Sequence, residues 1–270
     1  MNHYSTHVAS RSTGRTWAGR SSTRQTLTLL TLTSILVPAA GVDARRTPAR
    51  TTAATKERVP APSPAARALT PAGSLIAPGT LDPRVLRLGL ESTRCAISQG
   101  AVADDAATLT LIDYSRPSTV PRLWVVDLTT GALLFEELVA HGSGSGDDLA
   151  TRFSNSLDSH QSSLGLFTTA DAYVGKHGYS LRLHGLEAGV NDRARERAIV
   201  MHGADYVSTQ TIDALGRLGR SWGCPALRPA IVRDVIDRIK GGSVVFAYYP
   251  DPTWLAGSAF LNGCGTAART

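Results

Sequence analysis

From Thr108 to Tyr249 the apolar residues come in short runs separated by turn formers, and only one stretch there repeats at helical spacing. Runs this short, rich in Val, Leu and Ile, suit strands with one or both faces buried. The expected strands are Thr108–Tyr114, Arg122–Asp127, Leu133–Ala140, Leu164–Thr169, Tyr179–His184, Ala198–His202 and Ser243–Tyr249. Thr129-Thr130-Gly131 between the second and third predicts a hairpin. The helical stretch is Ile231, Val232, Val235, Ile236 and Ile239, opened by Pro229 and closed by Lys240-Gly241-Gly242. An earlier helix is expected over 83–98, from Pro83 through Leu86, Leu90 and Ile97, with Gly100 at its close. The fold class that follows is mainly β, a sandwich or barrel-like domain carrying one or two helices. Strand order is not legible in the pattern.

Upstream the chain changes character. The first 80 residues hold ten Lys/Arg against two acids, Asp43 and Glu57, while the whole chain carries +6, so residues 81–270 come to −2. The basic balance therefore belongs to the leader and is not a phosphate-binding face, which needs cations clustered on folded surface. No nucleic-acid partner is expected. Arg11, Arg15, Arg20 and Arg24 precede an apolar, uncharged run, Leu27–Val37, and then Ala39 and Ala40. That is the layout of an export signal over residues 1–44, cleaved near 39–44. The run is shorter than the ~20 residues a spanning helix needs, so only transient membrane contact is expected. Residues 45–80, rich in Ala, Pro, Thr and Arg, read as a disordered linker. The folded domain is expected over 81–262, with a tail at 263–270, in a protein exported to the periplasm or cell wall.

Three cysteines in an oxidising compartment make one pair and one spare, with three pairings possible. Pairing Cys95 with Cys264 fastens the tail to the first helix and leaves Cys224 free. Cys224 stands in Ser221-Trp222-Gly223-Cys224-Pro225, where the glycine lets the backbone bend and a substrate come close. Amide hydrogens around such a turn can aim at a developing oxyanion. A thiol needs a base to become the thiolate nucleophile. His202, at the end of an apolar strand and followed by Gly203, is the candidate.

Other chemistries are poorly supplied. His141, His177 and His184 lack the spacing of a zinc motif, so no metal and no cofactor are expected. Ser143-Gly144-Ser145-Gly146-Asp147-Asp148 lacks the Gly-Lys-Ser/Thr of a phosphate loop and reads as a flexible surface loop. Arg193, Arg195 and Arg197, with Asp192 and Glu196, read as a solvated mixed-charge face.

Further text runs Tyr173-Val174-Gly175-Lys176-His177-Gly178-Tyr179-Ser180-Leu181-Arg182-Leu183, then Val190-Asn191-Asp192-Arg193-Ala194, Ile199-Val200-Met201-His202-Gly203-Ala204 and Gly219-Arg220-Ser221-Trp222-Gly223-Cys224-Pro225-Ala226. This resembles the L,D-transpeptidase catalytic domain, in particular its murein transpeptidase branch, over roughly residues 84–250. The resemblance implies a largely β domain in which His202 takes the Cys224 proton. Cys224 then attacks the carbonyl after the L-centre of diaminopimelate in a peptidoglycan tetrapeptide stem. The terminal D-alanine leaves, and an acceptor amine attacks the thioester to form a crosslink. Water as acceptor would make the protein an L,D-carboxypeptidase, and loss of turnover would leave a peptidoglycan-binding module.

By the same resemblance the amides of Gly223 and Cys224 form the oxyanion hole, and Ser221 or a nearby carbonyl orients His202. Lys176, His177 and Gly178 line the cleft, with Arg220 and Trp222 as further substrate contacts. Many relatives have Arg or Asn where this chain has Ala226. The residue that holds the substrate carboxylate is thus open between Arg220 and Arg228, either of which could grip it with two hydrogen bonds. Carbapenems acylate this family's cysteine, so susceptibility is implied as well.

Overall fold

The computed structural model describes residues 79–264; the expected export signal and nearly all of the expected linker lie outside them. Helix α1, Pro83–Ser98, has the bounds the spacing predicts. Asp82 caps it by accepting the Arg84 amide at 2.7 Å, and Pro83 sits where a missing N–H costs nothing. Its apolar stripe of Val85, Leu86 and Leu90 faces the core. Gly89 brings the helix backbone down onto the sheet: a Cβ there would come within 2.4 Å of Leu111 Cδ2.

Eight strands follow: β1 Thr108–Asp113, β2 Leu123–Asp127, β3 Leu133–Glu137, β4 Gly165–Gly175, β5 Gly178–Gly185, β6 Val200–Gly203, β7 Ala226–Leu227 and β8 Val244–Tyr248. They form one sheet in the order β3-β2-β1-β8-β4-β5-β6-β7. The β1–β8 and β6–β7 pairs are parallel and the rest antiparallel. The β2–β3 hairpin turns through Thr129-Thr130-Gly131, where Asp127 Oδ1 accepts the Thr129 and Thr130 amides, each at 2.9 Å. The expected Leu164–Thr169 strand runs on to Gly175 through a register shift between Thr169 and Ala172.

The two edges of this sheet approach one another. Beyond β3, Ala140 exchanges backbone hydrogen bonds with Ala226 of β7, at 2.9 and 3.4 Å, and Gly142 bridges Ser221. An edge strand presents unpaired N–H and C=O groups, and meeting the opposite edge satisfies them. The fold is thus mainly β, a nearly closed barrel-like sheet, and its closing seam runs along residues 138–143 and 221–226.

Among the described residues five helices decorate the sheet, more than the one or two expected. Helix α2, Thr209–Leu215, buries no residue and owes its ends to Ser208, which accepts the Thr211 amide, and to left-handed Gly216. No apolar periodicity announced it. Helix α3, Pro229–Ile239, buries Val232, Val235, Ile236 and Ile239, and its last-turn Arg238 pairs with Asp127 at 2.6 Å. Helices α4, Pro252–Gly257, and α5, Ala259–Asn262, are capped by Asp251 and Ser258 and each buries one aromatic ring, Trp254 and Phe260. A disulfide joins Cys95 in α1 to Cys264 just after α5, leaving Cys224 as the free cysteine.

Two expectations need correction. The Ser143–Asp148 segment is not a loose surface loop: Ser145 is fully buried, and its backbone accepts the Thr151 and Arg152 amides at 2.8 and 3.0 Å. It is packed because the 138–143 segment must lie flat against 221–226 to close the barrel. Arg197, expected on a solvated face, is half buried, and its guanidinium points under the Cys224 turn. Arg193 does pair with Glu196 in the open, at 2.9 Å.

Among the described residues no helix is long and apolar enough to cross a membrane, and no three His, Cys, Asp or Glu side chains converge as a metal site would require.

Candidate active site

Cys224 lies on the seam, at the end of the turn that leads into β7. Ser221 builds that turn: its Oγ donates to the Cys224 carbonyl at 2.6 Å and accepts the Gly223 amide at 3.1 Å. Gly223 has φ +115, a conformation that favours glycine, and a Cβ on it would lie 2.7 Å from the Gln161 carbonyl. From beneath, Ser162 Oγ donates to the Gly223 carbonyl at 3.1 Å and accepts the Gly142 amide at 3.0 Å. In a trans peptide the C=O and the following N–H point opposite ways. Pinning the Gly223 carbonyl inward therefore turns the Cys224 N–H outward, and it has no acceptor among the described residues.

The geometry divides the two amides expected to form an oxyanion hole. Cys224 N–H is free and outward, whereas Gly223 N–H is already given to Ser221. Nor does Ser221 reach His202. The partner of the His202 ring is the nearby carbonyl of Gly203, 2.9 Å from Nδ1. A carbonyl can only accept, so Nδ1 carries the hydrogen and Nε2 keeps its lone pair. Burial pushes the His202 pKa below the ordinary value, the Gly203 carbonyl pulls it back, and His177 lowers it further. The net shift disfavours the charged ring, and Nε2 is the basic atom.

Strand β6 carries His202 alongside the residues that follow Cys224: His202 pairs with Ala226, and its amide donates to the Pro225 carbonyl at 3.3 Å. The thiol itself is parked on the near end of β6. Sγ accepts the Val200 amide at 3.4 Å and donates to the Ala198 carbonyl at 3.7 Å; among the described residues it makes no hydrogen bond to His202. Burial raises the thiol pKa, while the Val200 N–H and the Arg197 charge lower it.

An aromatic and cationic rim surrounds this pair. His177, at the tip of the β4–β5 hairpin, stacks on His202 with ring centres 4.5 Å apart. Lys176 Nζ lies 5.8 Å from the centre of the Trp222 ring, and Trp222 stacks on His160 at 4.9 Å. Trp222 is 70% exposed despite its size, a surface that a binding site explains better than a core does. Gly178 closes the hairpin turn with φ +71. The two arginines considered for a substrate carboxylate are already engaged. Arg220 holds Asp147 at 2.9 Å, and Arg228 grips Glu137 with two nitrogens, at 2.7 Å for the closest pair.

Behind the seam is a buried polar layer that the sequence did not announce. Arg122 is fully buried and donates to the carbonyls of Val139 and Arg116 and to His141 Nδ1 at 2.8 Å. Nδ1 of His141 must accept there, so its Nε2 carries the hydrogen, toward the Gly146 carbonyl at 3.4 Å. Burial, with Arg122 beside it, holds the His141 pKa down at about 4. The His141 carbonyl in turn accepts the Ser221 amide, so this layer reaches the Cys224 turn directly. The available hint was an arginine at the head of an apolar strand.

A family model described as the L,D-transpeptidase catalytic domain matches residues 78–248. No curated protein matches the chain. Solved structures that it resembles include an L,D-transpeptidase from Mycobacterium smegmatis, 14% identical, with a TM-score of 0.33, over 53% of this chain and 59% of that one. Another is an L,D-transpeptidase from Stackebrandtia nassauensis, also 14% identical with a TM-score of 0.33, over 62% and 68%. A third is L,D-transpeptidase 3 from Mycobacterium tuberculosis, 13% identical with a TM-score of 0.34, over 53% and 61%. The chain thus spans less than two thirds of the first of these structures. At such identity and overlap the assignment rests on the family model.

Proposed function

The chain belongs to the L,D-transpeptidase catalytic-domain family, and from that premise we propose that it cuts and rejoins peptide bonds in peptidoglycan stems, with Cys224 as nucleophile and His202 as base. The observation that carries this reading is a free cysteine on the seam beside a strand that holds a histidine of fixed tautomer. Rotation of the thiol away from the Ala198 carbonyl delivers its proton to His202 Nε2. The thiolate attacks the carbonyl after the L-centre of diaminopimelate. The oxyanion takes the Cys224 N–H, left outward by Ser162. His202 then returns the proton to the departing D-alanine amine, leaving a thioester. An acceptor amine gives its proton to His202 as it attacks, and the thiol is restored with a new crosslink.

Lys176 and Trp222 form the rim across which a stem peptide would lie, and Lys176 is the cation there for a carboxylate. Arg220 and Arg228 are less suited, being held by Asp147 and Glu137. Export to the periplasm or cell wall, by the leader at residues 1–44, belongs to the same proposal, as does the linker that would carry the domain from it.

The test is product mass from tetrapeptide stems with and without an acceptor stem, using the parent protein and Cys224→Ala. Crosslinked dimer from the parent and none from the variant supports the reading. Tripeptide alone, with acceptor present, would make the protein a carboxypeptidase. Turnover retained in Cys224→Ala would remove the cysteine from the chemistry. Intact mass after incubation with a carbapenem adds a second check, with an adduct expected on the parent alone.

A further inference from the structure

Arg197 is the side chain at this site whose placement least resembles its sequence setting. Nη1 donates to the Ser154 carbonyl at 2.6 Å and to Ser163 Oγ at 2.5 Å. Nη2 donates to Ser159 Oγ at 3.1 Å and to the Gln161 carbonyl at 2.6 Å. Those four bonds use all four Nη hydrogens, and every acceptor is neutral. Its neighbour Glu196 is committed to Arg193, and among the described residues Arg197 makes no ion pair. A half-buried cation with no counter-ion is costly to keep unless its charge serves something nearby.

What lies nearby is the nucleophile. A Cβ on Gly223 would sit 3.4 Å from Arg197 Nη2, and the next residue after Arg197, Ala198, offers the carbonyl on which the thiol rests. The bonds of Arg197 also span a strained wall. Among the described residues three non-glycine residues have positive φ: Asp158 and His160 at 53° and Ala198 at 52°. All three line one cavity of about 200 Å³, together with Arg197 and Trp222. Residues held in that region persist only where surroundings fix them, and they gather at functional sites.

We infer that Arg197 is the positioning residue of this site, holding the strained 158–160 wall in place and lending the fixed positive charge against which Cys224 ionises. The inference rests on Cys224 being the nucleophile. The other titratable groups acting on the thiol do not supply a charge. Tyr114, at the end of β1, is pushed upward by burial and stays neutral, and Tyr206, after β6, is pushed up to about 12, again by burial. Burial lowers the pKa of His202, on β6, and so disfavours its charged form. Against burial the thiol pKa is lowered first by the Val200 N–H and then by Arg197, which is the charge among these, and the thiolate is the anion that this cation otherwise lacks.

The experiment is the pH dependence of iodoacetamide alkylation of Cys224 in the full chain, for parent, Arg197→Gln and Arg197→Lys, with thermal melts beside it. Arg197→Gln is expected to move the alkylation midpoint upward by about one pH unit, roughly a tenfold loss of rate at pH 7. Arg197→Lys keeps the charge but loses the clamp, so it should melt earlier and yet keep a midpoint near the parent's. A folded Gln variant with the parent's midpoint overturns the electrostatic role. A Lys variant that melts like the parent overturns the clamp. If the Gln variant does not fold, Lys decides alone: a retained midpoint supports the role of charge, and an upward shift overturns it. Alkylation needs no peptidoglycan, so these outcomes are independent of whether stems are the substrate.

Discussion

Two regions of the barrel are built on opposite principles. Where α1 lies on β1 and β8, the interior is mainly apolar, although Ser92 and Thr93 of α1 are buried too: Leu109, Leu111, Phe246, Leu86 and Leu90 pack together, and Gly89 lets helix and sheet touch. Along the closing seam the interior is polar. Arg122, His141, Ser145, Ser162 and Ser221 are all buried there and bonded to backbone or to one another. Apolar packing is non-directional and stabilises by area, while a buried polar layer stabilises little but fixes directions. The first region holds the barrel together. The second aims the Cys224 N–H.

Three substitutions or conditions would break or sharpen that contrast. Phe246 is fully buried against the Trp254 and Tyr248 rings, so Phe246→Ala should cost about 3–5 kcal/mol of unfolding free energy. Urea denaturation measures it, and the Cys224 alkylation midpoint should not move. A shift of that midpoint would mean the two regions are coupled.

Acid should act on the seam next. The folded-state pKa of His141 is about 4, below the ordinary histidine value of 6.5, so the unfolded chain binds this proton more tightly. Its contribution to stability is complete above pH 6.5 and is lost as pH falls toward 4, by about 3 kcal/mol at most. His141→Gln keeps an acceptor for Arg122 without titrating. Urea midpoints between pH 7 and 4 should fall more steeply in the parent than in this variant. Equal slopes would show that His141 is not the group being protonated.

The smallest effect belongs to Ser162→Ala, which leaves the Gly223 carbonyl and Gly142 amide without their shared partner. A loss of about 1–2 kcal/mol is expected. Carbapenem acylation should slow by about tenfold as the Cys224 N–H loses its aim. Slower acylation with no more than that loss of stability would sharpen the contrast between the regions; a larger stability loss with normal acylation would erase it.

The apolar region was the legible one. Leu86, Leu90 and Ile97 with Pro83 predict a helix near 83–98, where α1 lies, and Ile231 to Ile239 predict α3, because burial of one helix face repeats in the sequence. Short apolar runs predict β1, β2 and β8 for the same reason. Helix α2 was not legible, since it buries nothing and rests on its caps. Within the site, Cys224 and His202 stand in a motif that can be read along the chain. Arg197 could not be: a charged residue beside Arg193 and Glu196 looks solvated unless one knows that the 154–163 segment folds over it.

The sequence by itself determined which segments become strand or helix, which cysteine stays free under the simplest pairing, and which two residues are candidates for the chemistry. Tertiary structure alone decided that Ala140 meets Ala226, that the Gly223 amide is taken by Ser221, and that a half-buried cation lies under the Cys224 turn. Local patterns carry information about burial, which each element states in its own periodicity. Closure of a barrel joins segments far apart in the chain through polar contacts, and these leave no period to read.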